Sequence, residues 1–555
     1  MSEQNQFVFL PLGGVGEIGM NLGMYGFGPV DKKSWIVVDF GLGFARETQP
    51  GVDLIFPDIR FLESEKNNVL GIILTHAHED HYGGLVDLWE RVGAPVYATP
   101  FTAAMLEAKL DGAPWAGKIP INTISQTERW NLGPFDLEMV PVSHSIPEPN
   151  ALAIRTPLGL ALHTGDWKID PTPVVGEAMD VDRLKEIGEE GVLALICDST
   201  NAVRDGISPS EADIAAGLYD FIKDAPNRVA VTSFASNVAR MRTVAEVAEK
   251  AGRDVILVGR AMQRVSIIAR ELGFFDGIKP FLSEDDFGYL PRNKVLVMCT
   301  GSQGEDRAAL ARIANGSHRN IKLVSGDRVI FSSRTIPGNE VPVNTVINSL
   351  CDQGMEVITD RDGLVHVSGH PRRGELVQMY DWMKPEIAVP VHGEPLHLSA
   401  HAKLASEQGV KNVVQIRNGA LVKLAPGKPG IIDNMQAGRL HKDGKLITEP
   451  ETGGVGERRK LSFAGVVSVS LVMSRQGEIL DEPAADLYGL PDFDSKGADF
   501  EDIILDAIDG VLDSMPAKRR KNSGQLEESV RRAIRGEVQH VWGKKPVCQV
   551  RVHIV

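Results

Sequence analysis

The run His76-Ala77-His78-Glu79-Asp80-His81 restricts the fold of this chain more than any other stretch. It follows Gly71-Ile72-Ile73-Leu74-Thr75, which reads as a buried strand. Three imidazoles and two carboxylates within six residues have no place in an apolar core, because ionisable groups are buried only when paired or bound to a metal. Imidazole nitrogens suit first-row divalent metals, and carboxylates add hard anionic ligands. Residues two apart at an extended strand end point the same way, so His76 and His78 can share one ion. Asp80 and His81 follow in the turn and can serve a second. A fold built on such a strand must bring further donors to the same sheet edge.

Three downstream residues stand in the same context. His144 follows the apolar stretch 137–142, Asp166 follows 160–163, and His392 follows 387–390. With the run they make seven candidate ligands, His76, His78, Asp80, His81, His144, Asp166 and His392. That is enough for two divalent ions with a position left for water. Zinc is favoured by ligand type, with manganese or magnesium left open by the carboxylates.

The rest of the chain divides by pattern. Residues 1–200 read as short strands punctuated by Gly and Pro. Gly14-Val15-Gly16-Glu17-Ile18-Gly19 matches a dinucleotide fingerprint, with Asp39 at the expected distance. The required helix is implausible, because Gly19, Gly23, Gly26, Gly28 and Pro29 follow; the stretch is expected to be a β-hairpin. From about 210 to 350, helical stretches alternate with apolar runs, the pattern of βαβ units and a parallel sheet. Strand-rich segments return over 350–425, among them 363–367. Residues 425–460 read as a Gly- and Pro-rich linker with a small hairpin or two, and 461–555 as a separate α+β unit.

Composition narrows the partners. Lys and Arg number 59 against 74 Asp and Glu, a net charge of −15. This argues against a coat of positive charge for non-specific duplex binding, though not against a local basic channel. Arg372-Arg373 and Arg458-Arg459-Lys460 are such local clusters. Aromatic residues are 6%, which fits a protein that grips backbone and reads little sequence. The four cysteines are scattered without a CxxC pair, so a reducing, cytoplasmic compartment is expected. Neither a signal peptide nor a membrane span is expected.

HAHEDH, with His144, Asp166 and His392, resembles the metallo-β-lactamase superfamily. The long insertion between Asp166 and His392, Asp198 in CDST, His370 in HVSGH and His392 in PVHGE are similar to its β-CASP nuclease branch. GGVGEIGMN, SFAS, CTGSQGE, IPGNE and HVSGHPRRGEL resemble the bacterial ribonuclease J family in particular. The resemblance implies an α/β chain: an αββα metallo-β-lactamase fold over 1–208 and 351–428, with a β-CASP parallel-sheet domain inserted at 209–350. A linker at 429–460 and a small α+β C-terminal domain at 461–555 complete the expected organisation. The implied activity is a two-metal ribonuclease of RNA maturation and decay, 5′→3′ exonucleolytic from 5′-monophosphate ends and also endonucleolytic. A small-molecule hydrolase such as a lactonase or thioesterase accounts for HxHxDH but not for the insertion or HVSGH.

Roles follow from the residues and the resemblance together. His76, His78 and His144 are assigned to one ion, Asp80, His81 and His392 to the other, and Asp166 bridges. Two cations side by side can clamp a phosphodiester. The resemblance makes His370 the general acid; Asp198 orients it, and Asp80 is counted with them as catalytic. Asp39 is expected behind the ligands, holding a histidine. In an extended segment His366, Ser368 and His370 face one side and can converge on a phosphate, with backbone from Val367 and Gly369. Arg372 follows and can guide RNA. Ser233-Phe234-Ala235-Ser236-Asn237 and Gly301-Ser302 each follow a strand and precede a helix, positions where backbone N–H groups favour anions. The resemblance implies a 5′-monophosphate pocket there. The implied partners are single-stranded RNA and further copies of the chain, a dimer or tetramer formed through the C-terminal domain.

Overall fold

The computed structural model describes residues 5–555. The chain forms two compact units, Met1–Gly43 with Phe56–Gly438, and Phe44–Ile55 with Arg439–Val555.

The larger unit is built on two mixed sheets. One has eight strands, ordered Gly430–Asn434, Ala420–Ala425, Gln6–Gly13, Leu22–Gly28, Ser34–Val38, Val69–Ile73, Val96–Ala98 and Ile121–Thr123. The other has seven, ordered Asn412–Val413, Ile387–Val391, Val192–Asp198, Gly159–His163, Asn150–Thr156, Phe135–Pro141 and Arg129–Leu132. Phe9, Tyr25, Ile36 and Ile73 from the first sheet and Leu137, Ile154, Ile196 and Val389 from the second form one buried core. Helices Val181–Glu190, Arg373–Met383 and Pro395–Glu407 cover the other face of the seven-stranded sheet through Leu184, Leu376, Met379 and Leu404. Helix Pro100–Leu110 packs on strands Val96–Ala98 and Ile121–Thr123 of the eight-stranded sheet. Central strands buried on both faces are near-continuously apolar, which is why 69–73 and 192–197 carry almost no polar residue.

Strands Val192–Asp198 and Ile387–Val391 are parallel neighbours, and the chain between them folds as a further layer. It contains a parallel five-stranded sheet ordered Asp254–Val258, Val295–Cys299, Val229–Thr232, Arg328–Phe331 and Glu356–Ile358, interleaved with helices as expected. Residues 14–21 connect antiparallel strands without a helix, so the glycine-rich stretch is a hairpin. Residues 363–367 differ from expectation and belong to no strand. Val365 O accepts from Arg240 Nη1 (3.3 Å) and Ser332 Oγ (2.6 Å), and these side chains replace a sheet partner.

In the smaller unit, strands Ala484–Tyr488, Val466–Met473 and Val547–Ile554 form a sheet in that order. Val467, Val469, Leu471 and Met473 alternate inward. They meet Phe500, Ile504 and Ile508 of helix Phe500–Ser514 and Leu526, Val530, Ile534 and Val538 of helix Ser523–Trp542. The four-residue spacing places each set on one helix face. The stretch read as linker contains a hairpin, Arg439–Asp443 with Leu446–Thr448, and also a helix, Val455–Ala464. No described helix is long and apolar enough to cross a membrane.

Candidate metal centre

The donors sit at the carboxyl ends of strands that run the same way. His76 to His81 follow Val69–Ile73, His144 follows Phe135–Pro141, Asp166 follows Gly159–His163, and His392 follows Ile387–Val391. Strand Val69–Ile73 is parallel to Ser34–Val38, which delivers Asp39 to the same edge. The donor atoms of His76, His78, His144 and Asp166 lie within 4.8 Å of one another, as do those of Asp80, His81, Asp166 and His392. Asp166 belongs to both groups, and also to a third of the same compactness with Asp198, His370 and His392. Its Oδ2 lies 3.2 Å from His81 Nε2, 3.4 Å from His392 Nε2, 3.8 Å from His144 Nε2 and 3.9 Å from His76 Nε2.

Four imidazoles are oriented by bonds on the nitrogen facing away from this centre. His81 Nδ1–H donates to Asp39 Oδ2 (2.7 Å), and His392 Nδ1–H to Asn21 Oδ1 (2.8 Å). His144 Nδ1–H donates to the Gly369 carbonyl (2.6 Å). Thr75 Oγ1 donates to Asp39 and therefore accepts from His76 Nδ1 (3.0 Å). Each bond fixes the tautomer and turns an Nε2 lone pair inward. His78 presents Nδ1, which lies 3.1 Å from both His76 Nε2 and His144 Nε2. One proton on His78 can serve only one of those neighbours, whereas a cation serves all three. Asp166 Oδ1 is buried without a hydrogen-bond partner. A buried carboxylate oxygen with no donor and nitrogen lone pairs converging on it fit divalent metal ions.

The electrostatics agree. Burial, followed by the neighbouring imidazoles, holds the pKa of His76 and His144 well below the usual histidine value, so both are neutral donors. Burial likewise lowers His78, to about 4. Burial works against a charged His81 too, but Asp166, Asp80 and Asp39 outweigh it and hold its pKa well above normal. That is the signature of an anionic pocket that favours a cation.

One donor, His392, and one residue that holds a donor, Asp39, sit in strained backbone. Asp39 (φ 63°) and His392 (φ 50°) occupy the left-handed region, which costs a non-glycine residue about 1–2 kcal/mol. His392 N donates to Gly14 O (2.7 Å) and Gly16 N to Gly393 O (3.0 Å). The hairpin turn at 14–21 thus clamps the His392 loop. Asn21 in that turn also donates Nδ2 to Asp80 O (3.1 Å). Asn21 had no role in the sequence reading, because its partners lie 59 and 371 residues away.

Asp198 and His370 lie beside the donors. His370 Nδ1–H donates to Asp198 Oδ2 (2.8 Å), and Asp198 Oδ1 accepts from Thr200 N and Oγ1 (both 2.8 Å). Burial disfavours the His370 cation, but Asp198 and Asp166 push its pKa up to about 9. Such an imidazole holds a proton at neutral pH. His366, Ser368 and His370 form the more accessible side of their segment, while Val365, Val367 and Gly369 are buried. Ser368 Oγ accepts from Asn201 Nδ2 (2.9 Å). His366 Nδ1 is buried without a partner; burial, then Arg240 and Arg334, hold its pKa well down. Arg204, Arg334 and Arg372 lie close enough that, after burial, the other two disfavour the charge on Arg204. Arg204 and Arg334 are isolated in sequence, and only folding gathers them with Arg372.

The remaining predicted residues form a separate group at the carboxyl edge of the inserted sheet. Ser233 N donates to Cys299 O (3.3 Å), placing 233–237 beside the loop that holds Gly301 and Ser302. Phe234, Ala235 and Ser236 are half-buried, and Ser233, Gly301 and Ser302 are buried. Asn237 caps helix Val238–Lys250 by accepting from Arg240 N (2.8 Å). Arg240 in turn reaches Val365 O beside His366.

Comparison with known proteins places the chain. Family models match as "Beta-lactamase superfamily domain" over 34–181, "Ribonuclease J, beta-CASP domain" over 226–350, "Zn-dependent metallo-hydrolase RNA specificity domain" over 354–415 and "Ribonuclease J C-terminal domain" over 453–555. A solved structure of a protein of unknown function from Enterococcus faecalis V583 matches at a TM-score of 0.52 and 17% identity, covering 75% of this chain and 100% of that one; this concerns the fold alone. Ribonuclease J of Mycolicibacterium smegmatis is 36% identical, across 97% of this chain and 95% of its own. Ribonuclease J of Sinorhizobium meliloti is 55% identical over 550 residues, 99% of this chain and 98% of its own. With agreement at that level across both units, the chain belongs to the ribonuclease J family.

Proposed function

We propose that this protein is a two-metal ribonuclease that degrades RNA 5′→3′ from 5′-monophosphate ends and also cuts internally. Its membership of the ribonuclease J family makes it a metal-dependent ribonuclease. The observation that carries the two-metal reading is Asp166, whose Oδ2 is shared by two sets of donors. His76, His78 and His144 would hold one ion, Asp80, His81 and His392 the other, with Asp166 between. Bound there, two divalent cations, zinc by ligand type, would neutralise phosphodiester charge and acidify the attacking water.

The protein's own groups do the rest. His370, charged at neutral pH, donates its proton to the leaving 3′-oxygen. Asp198 holds the His370 Nδ1–H and leaves Nε2 for that transfer. His366 and Ser368 flank His370 on the accessible side of their segment and bind the scissile or adjacent phosphate. Arg204, Arg334 and Arg372 supply positive charge along the strand's approach. Ser233 to Asn237, Gly301 and Ser302 are assigned to the 5′-phosphate, where backbone N–H groups at strand–helix junctions suit an anion. The smaller unit carries no such constellation, and self-association is its assigned role.

The test is hydrolysis of 5′-labelled monophosphorylated RNA by chelator-treated protein, supplemented in turn with zinc, manganese and magnesium. Activity should vanish on chelation, return with metal, and release labelled mononucleotide first; a 5′-triphosphate should slow it. Full activity in stripped protein rejects the metal mechanism. Release from the 3′ end rejects the polarity, and equal rates on both 5′ ends reject the end pocket.

A further inference from the structure

Ser368 and His370 are held by a loop to which the chemistry above gives no role. Asn201 lies three residues after Asp198, and its backbone bridges to Arg372. Its side chain is buried and turns its amide toward the segment 368–370. Asn201 Nδ2 donates to Ser368 Oγ (2.9 Å) and to the His370 carbonyl (3.1 Å). A carbonyl oxygen accepts and never donates, so His370 O fixes which end of the amide faces the segment. Asn201 is therefore a donor to both.

The hydrogen of Ser368 can then be located. A serine hydroxyl has two lone pairs and one hydrogen. One lone pair takes the Asn201 Nδ2–H, and the other takes the His370 N–H (3.3 Å). Both acceptor positions are filled, so the hydroxyl can only donate. No described group accepts its hydrogen. Ser368 is half-buried and lies on the accessible side of its segment, two residues before His370. The hydrogen is thus left for a ligand beside His370.

The backbone around Ser368 has other anchors. Ser208 Oγ also donates to His370 O (3.1 Å). Glu375 Oε2 accepts from Ser208 N (2.8 Å) and Arg372 N (2.9 Å). Gly369 O accepts from His144 Nδ1 (2.6 Å). With these in place, the distinct work of the Asn201 side chain is to set the Ser368 hydroxyl.

We propose that Asn201 is a positioning residue for RNA hydrolysis, which commits the Ser368 hydroxyl hydrogen to a non-bridging oxygen of the RNA phosphodiester. A phosphodiester anion offers acceptors and no donor, so a hydroxyl fixed as a donor suits it. A free hydroxyl rotor must be ordered when the ligand binds, whereas this one is ordered beforehand. This role rests on the assignment of Ser368 to phosphate.

A double-mutant cycle separates the two, read as single-turnover kcat/KM on RNA by the full-length protein with the divalent metal that restores its activity. Ser368→Ala should lose about 10- to 100-fold, the worth of one hydrogen bond to a charged group. Asn201→Ala should lose about 3- to 10-fold, because the hydroxyl survives but is no longer set. In the Ser368→Ala background the same Asn201→Ala change should cost less than twofold, since the group it acts through is gone. A role confined to holding the fold or the His370 carbonyl would persist in that background. Asn201→Asp keeps the shape if Asn201→Ala fails to fold. Its carboxylate would take the Ser368 hydrogen for itself, so it should lose about 10- to 100-fold, and at least threefold less in the Ser368→Ala background. A normal rate for Ser368→Ala overturns the phosphate assignment and this role with it. A slowed Ser368→Ala overturns the role of Asn201 alone when the Asn201 variants run at full rate, or when their losses are undiminished by Ser368→Ala.

Discussion

Gly369→Ala is the sharpest perturbation of the centre that leaves every donor in place. Gly369 is not among the positive-φ residues, so alanine meets no backbone strain. Its Cβ, however, would lie 2.6 Å from His144 Cε1 and Nδ1 and 2.9 Å from Ser145 Oγ. Carbon contacts relax near 3.5 Å, so the imidazole must retreat by roughly 1 Å. It cannot do so freely, because its Nδ1–H is bonded to the carbonyl of the same residue at 2.6 Å. Metal–nitrogen distances tolerate about 0.2 Å. The variant should therefore lose the contribution of one well-placed ligand, about 10- to 100-fold in metal affinity. That is about 1.4–2.7 kcal/mol, similar to the overpacking cost of about 1–3 kcal/mol expected for the fold. The assay is divalent-metal titration of chelator-treated protein, read by single-turnover RNA hydrolysis, with circular dichroism to show the fold is kept. Half-saturation should move to 10- to 100-fold higher metal. An unchanged metal requirement and rate would refute the placement of His144 and the reasoning that Gly369 exists to admit it.

Two further substitutions separate positioning from packing. Asp198→Asn keeps the shape but loses the charge that holds His370; the single-turnover rate should fall by as much as about 10²–10⁴-fold while RNA affinity stays the same, and a matching loss of affinity would contradict the assignment. Gly510→Ala lies on an exposed position of helix Phe500–Ser514 where a Cβ meets nothing within 4 Å. It should raise stability by about 0.5–1 kcal/mol in thermal or denaturant unfolding; a lower midpoint would mean that the exposed face is not free.

The donors were legible because each follows an apolar run, and strand ends converge wherever strands run parallel. His76 to His81 needed only the strand before them; His144, Asp166 and His392 needed the assumption of a shared edge. Asn21 was illegible because its work is done through partners far along the chain. Arg204 and Arg334 were equally hidden, since no local pattern marks two isolated arginines that meet only after folding. Residues 363–367 read as a strand because alternation is present, but Arg240 and Ser332 take the carbonyl that a neighbouring strand would use. Helix Val455–Ala464 was concealed by Gly453, Gly454 and Gly456, which lower helix propensity even where one of them serves to start the helix.

The hairpin turn at 14–21 clasps the loop at 392–393, so the earliest and one of the last segments of the larger unit lock each other into place. During translation the amino-terminal half of this clasp emerges first and must wait. Until His392 has left the ribosome, one donor set lacks a member and the turn has nothing to grip. A chain that stops short of His392 therefore has neither the complete donor set nor the segment that the turn grips.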